Sequence, residues 1–144
     1  MPKPNEPYST DEEVLEVVRS FESSELPPAD FNHREHLLVA LCYLRRTGDE
    51  DALARLRAGI GRYVAAHGIN PSLYHETITV FWMKLVRAYL ERGGAGRGLA
   101  DTVNGLAAES GSSRLIFDYF SRELIDSERA RREWVEPDLK PLDF

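Results

Sequence analysis

The stretch FNHREHLLVALCYL, residues 31–44, decides how this chain folds. Two histidines, His33 and His36, stand in its first helical turn, and an unbroken apolar run, Leu37–Leu44, follows them. A helix turns about 100° per residue, so a run of this length leaves no polar face. Such a helix belongs at the centre of a bundle. Asn32 is in place to cap it, with Glu35 as the capping-box partner, and Gly48 ends it.

Working outward, the pattern is helical throughout. A first helix opens at Ser9 or Thr10, with Glu12 or Glu13 as capping partner, and runs to about Ser23. A third opens at Asp49 and closes at His67–Gly68. Asn70–Pro71 reads as a cap followed by proline at the first helical position, starting a fourth helix that reaches about Arg92. Further helices are expected over Leu99–Glu109 and Arg114–Ile125, with a short one from Ser127 to near Trp134. RGGAGRG (92–98) lacks the Lys-Ser/Thr of a phosphate loop and reads as a connector. The tail VEPDLKPLDF, with Val135, Leu139, Leu142 and Phe144 spaced along it, reads as a strap over the bundle, and Trp134, Leu139 and Leu142 are expected to be buried. The fold class is therefore all-α: one domain over 1–144, a bundle of six to seven helices with a C-terminal strap, and a flexible lead over 1–9.

Composition narrows the function. The chain has 144 residues and a net charge of −6, from 18 basic and 24 acidic side chains, which argues against a nucleic-acid binder that neutralises phosphates. Its single cysteine, Cys42, offers neither an internal disulfide nor a cysteine metal motif, and a reducing, cytoplasmic setting is expected. No signal peptide is read at MPKPNEPYST, and the run Leu37–Leu44 is far short of the ~20 residues of a membrane span.

The histidines all point inward. His33 and His36 share a stripe with Leu37, Ala40 and Leu44. His75 lies on the stripe of Ile78, Trp82, Leu85, Val86 and Tyr89. His67 continues that of Leu53, Leu56, Ile60, Tyr63 and Val64. Short connections make neighbouring helices antiparallel, so all four should gather at one end of the bundle. The helix dipole disfavours imidazolium at His33, His36 and His75, and neutral imidazole is what a metal requires. These three are the expected ligands of a divalent ion (zinc, iron, nickel or manganese) that would act on a small molecule. Glu76 is the candidate base or fourth ligand, Tyr74 a second catalytic candidate, and His67 and Thr79 supporting residues. His75-Glu76-x-x-Thr79 lacks the second histidine of the zinc-protease motif H-E-x-x-H, so that reading is rejected.

Three other readings compete. The pocket could bind a small ligand without metal or catalysis. The histidines could be hydrogen-bonded parts of a structural module. Arg62 and His67 also fit the R-x4-6-H signature of the helical HEPN ribonucleases, although the acidic balance opposes it.

The segments FNHREHLLVALCYL, YHETITVFW, YFSRELI and WVEPDLKPL together resemble a family of small bacterial proteins of uncharacterised function, from about Phe21 to Leu142. The combination of H-x-x-H-L, Y-H-E-T-I-T and W-V-E-P-D-L carries the likeness. It implies a shared helical fold and no particular chemistry.

Overall fold

A computed structural model describes residues 6–93 and 97–144. Among them there is no strand, and the architecture is a helical bundle. The expected connector over 92–98 and the expected flexible lead over 1–9 lie in part outside the described residues, at 94–96 and 1–5. The long helices are α1 (Asp11–Glu22), α2 (His33–Arg46), α3 (Asp49–Ala66), α4 (Glu76–Glu91) and α5 (Leu99–Ser110), followed by the short α6 (Arg122–Ile125) and α7 (Glu128–Arg132). None is long and apolar enough to cross a membrane.

Helix α2 is the axle. Every residue from Leu37 to Leu44 is buried, none more than 5% exposed. Helices α1, α3, α4 and α5 all pack on it. Cys42, in the middle of the run, is a free thiol whose burial pushes its pKa up to about 11.

Local chemistry sets the helix limits. Thr10 caps α1, taking the Glu13 N–H at 3.2 Å while the Glu13 carboxylate takes the Thr10 N–H at 3.1 Å. Glu35 accepts the Asn32 N–H at the start of α2, at 3.3 Å. Gly68, at φ +65°, ends α3 in the left-handed region that glycine enters at no steric cost. Arg87, near the end of α4, pairs with Asp49 at the start of α3, and Glu76 at the start of α4 pairs with Arg57. Helices α3 and α4 therefore run in opposite senses, and α2 runs with α4, as the short connections predict.

Four expectations need correction. Pro71 does not begin α4. Residues Pro71–Leu73 form one 3-10 turn, the chain extends at Tyr74, and α4 starts at Glu76 with His75 as its cap. The helix expected over Arg114–Ile125 is split into a 3-10 segment, Ser113–Asp118, and α6, because Ser121 starts a new cap by accepting the Leu124 N–H at 3.1 Å. Tyr8, expected in a flexible lead, is a core residue. Its backbone exchanges two hydrogen bonds of 2.8 Å with the Asn104 side chain, and its hydroxyl donates to Glu35 at 2.9 Å.

The fourth correction concerns the strap. It packs on the bundle through polar contacts as well as apolar ones, with Phe144 edge-on to Phe81 and Tyr119 at 5.6 Å and Trp134 edge-on to Phe120 at 5.8 Å. Leu139 donates its N–H to the Tyr119 carbonyl at 2.9 Å while its side chain stands 56% exposed. Asp138 accepts from both the N–H and the hydroxyl of Ser121, at 2.7 and 2.6 Å. Trp134 and Leu142 are half-buried, and Val135 is the buried apolar anchor. Thr77, fully buried, ties α4 to this region by donating to the Glu133 carbonyl at 2.8 Å.

Val135→Ala should therefore destabilise the protein by about 1.5 kcal/mol, the worth of two buried carbon groups. Leu139→Ala should stay within about 0.5 kcal/mol. Urea unfolding followed by circular dichroism checks both, and equal losses would contradict the observed division of labour.

Candidate functional site

Helices α2, α3 and α4 enclose a cleft of about 340 Å³. Its apolar wall comes from Leu56, Ile60 and Val64 of α3 and from Ile78, Trp82 and Met83 of α4, over a floor at Ala40. Its polar end holds His36, Tyr74, His75 and Thr79, and Leu73, 70% exposed, stands at the rim. The stripes read from sequence on α3 and α4 supply this wall, and the shared sense of α2 and α4 brings His36 to His75.

The histidines nevertheless do different things. His75 caps α4: its Nδ1 accepts the Ile78 N–H at 3.2 Å, and its Nε2 lies 2.6 Å from the Ile125 carbonyl oxygen. A carbonyl only accepts, so Nε2 carries the proton and both ring nitrogens are engaged. His33 turns away to Ser110, Nε2 donating to the carbonyl at 3.2 Å, with its ring against the edge of Trp82 at 4.3 Å. His67 donates to the Ser24 carbonyl at 2.8 Å and packs on Tyr63. That contact removes it from the cleft and gives its partner in the ribonuclease signature, the exposed Arg62, no shared site with it.

His36 differs from the others. Its ring stacks on Phe31 with centroids 3.9 Å apart, and among the described residues its nitrogens make no hydrogen bond. The residue is exposed at the cleft, and the protein around the ring, with nearby His33, lowers its pKa below the ordinary histidine value. Burial likewise lowers His33, against the pull of the Ser110 carbonyl. Neutral imidazoles were expected here, but desolvation is the larger cause.

The three expected histidine ligands do not gather as a group in this arrangement. Among the described residues no three His, Cys, Asp or Glu side chains stand as a group that could hold a metal ion. Two of the expected ligands bond to backbone carbonyls, and His75 has no lone pair left to give.

Glu76 and Tyr74 are engaged with each other. The Tyr74 hydroxyl donates to Glu76 Oε1 at 2.6 Å, and Arg57 forks onto the same carboxylate. Partial burial alone would raise the Glu76 pKa, but hydrogen bonds from Arg57 and Tyr74 and the Arg57 charge outweigh it and hold the carboxyl below its ordinary value. Burial, then the bond to Glu76, raises Tyr74 to about 12. Both shifts move away from neutral pH, where a general base or acid works best. The group is a strut between α3 and α4. Thr79 donates to the His75 carbonyl at 2.9 Å and steadies the cap.

Sequence reading missed two features. Glu35, taken only as a capping partner, is 3% exposed and also receives Tyr8 and the Arg34 Nε, the latter at 2.8 Å. Arg57, which pairs with Glu76, is not among the residues singled out from the sequence. Its position one residue beyond Leu56, at the edge of the α3 stripe, was the available signal.

His75→Ala should cost about 1 kcal/mol or more through loss of the cap, whether or not zinc or a chelator is present. Depressed histidine pKa values make the unfolded chain bind more protons than the native one below about 6.5. The histidine contribution is then full above that pH and is lost as pH falls below it, and the lowered carboxyl pKa of Glu76 carries the decline further into acid. Thermal melts of His36→Phe against the parent should show a shallower decline across that window. No known family model matches this chain, and neither a curated protein nor a solved structure is found to match it.

Proposed function

We propose that this protein binds a small, mainly apolar molecule in the cleft between α3 and α4, with one hydrogen-bonding group of the ligand placed at His36. The observation that carries the reading is the contrast among the histidines. Three are tied to backbone carbonyls, while His36 faces an apolar cleft with its nitrogens unengaged by any described residue. Ligand pockets combine apolar walls with a few placed polar groups in this way, and about 340 Å³ lies at the small end of their range. A neutral imidazole can donate from one nitrogen and accept at the other, so an alcohol, phenol or amide suits it. The segments that carry the family resemblance, H-x-x-H-L and Y-H-E-T-I-T, supply His36 and His75 to this cleft. A reducing cytoplasmic setting is in keeping with the buried free thiol of Cys42.

Titration with 4-ethylphenol, followed by two-dimensional NMR of the histidine and tryptophan side chains, tests the reading. Saturable shifts at His36 and the Trp82 indole are expected, with a dissociation constant of about 0.1–1 mM for a ligand of this size. Ile60→Trp should fill the cleft and abolish binding while leaving the fold intact. His36→Phe, which keeps the stack on Phe31, should weaken binding about tenfold. Absence of saturation up to the solubility limit would overturn the proposal.

A further inference from the structure

A second recess, of about 530 Å³, lies beside the first, with Met83 lining both. The two follow each other turn by turn on three helices. On α2, Ala40 lines the cleft and Leu44 the recess. On α3, Leu56 lines the cleft and Leu53 the recess. On α4 the sequence runs from Thr79 through Met83 to Arg87. From Val64 to Asp49 the path spans about 22 Å at 1.5 Å per helical residue. Met83, 6% exposed, occupies the join, and its unbranched thioether can swing aside at small cost.

We propose that the two recesses form one channel, and that its ligand is a slender, unbranched, uncharged amphiphile lying along α2 with its polar head at His36. The inference rests on the small-ligand reading above and extends it to a ligand class. Two ion pairs, Arg57 with Glu76 and Arg87 with Asp49, join α3 to α4, and Asp49 and Arg87 line the recess. A polymethylene chain is slender enough to lie between helices joined in this way. An α-helical peptide, about 10 Å across, would have to part both. Arg87 Nε stays buried without a partner among the described residues and Lys84 also lines the recess, but the lining at the His36 end holds no Lys or Arg. A carboxylate head at His36 would stand near Glu35, whose charge acts on that ring, and desolvating an unpaired charge is costly. An uncharged hydroxyl head meets neither obstacle.

The test titrates the full chain with 1-hexanol, 1-octanol, 1-decanol and 1-dodecanol, read by tryptophan fluorescence and calorimetry. Binding should tighten about fourfold per added methylene through dodecanol. Leu53→Trp and Val80→Trp both obstruct only the recess, and two variants guard against one failing to fold. In each, 1-hexanol should bind as in the parent, while the gain with length stops near octanol. Decanoate should bind at least about tenfold more weakly than decanol. If the parent's gain stops where the variants' does, the recesses are separate and the proposal falls, with the short-ligand reading intact. If hexanol itself fails to saturate, that underlying reading falls too. Decanoate equal to decanol overturns the uncharged head. A dimer at micromolar concentration that alkanol dissociates would put a second copy in the groove and overturn the proposal as well.

Discussion

The burial of α2 on every side is the constraint from which the rest follows. A helix with one apolar stripe needs one neighbour, whereas a helix apolar all round needs a ring of them. Helices α1, α3, α4 and α5 supply that ring. Because α3 and α4 both lean on α2, they meet mainly through ion pairs at their edges. A gap between them, floored by α2, is the geometric result. The cleft is thus a by-product of a very apolar centre, and His36 enters it because it stands one turn before Ala40 on the α2 stripe.

Much of this was legible in residues. The run Leu37–Leu44 announced the central helix, Thr10 with Glu13 announced a cap, and Gly68 a stop. The face of each helix could be computed, so the meeting of His36 with His75 was readable. What each imidazole does there was not. Helical faces give direction to within a few tens of degrees, but a hydrogen bond depends on a backbone carbonyl contributed by another part of the chain. Ser110, Ile125 and Ser24 lie 77, 50 and 43 residues from the histidines they satisfy. No local pattern records such partners.

The same limit explains the tail and the breaks. Ser121 looked like one more residue of a helix, and its capping role is reinforced by Asp138 from the strap. Leu139 looked like an apolar anchor by spacing alone, but its backbone, not its side chain, makes the contact. His75 is a less common kind of cap, and Asn70–Pro71 nearby carried a stronger start signal. There Asn70 accepts the Ser72 N–H at 3.0 Å, yet the turn it starts ends at Leu73. A local signal can be obeyed and still not start the long helix.

The position of Cys42 has a consequence for how this fold can be damaged. Its sulfur sits in the innermost helix, 2% exposed, and is held protonated at neutral pH. Thiolate, the reactive form, is doubly suppressed there, by its raised pKa and by lack of access. Oxidants and alkylating reagents therefore meet this thiol only in molecules whose central helix has left its ring of neighbours. Once modified, such a molecule carries a bulky or charged group at a place with no room for it, and cannot close again around α2. Chemical attack at this thiol consequently acts as a one-way trap for the open state, at a rate set by how often the bundle opens around α2.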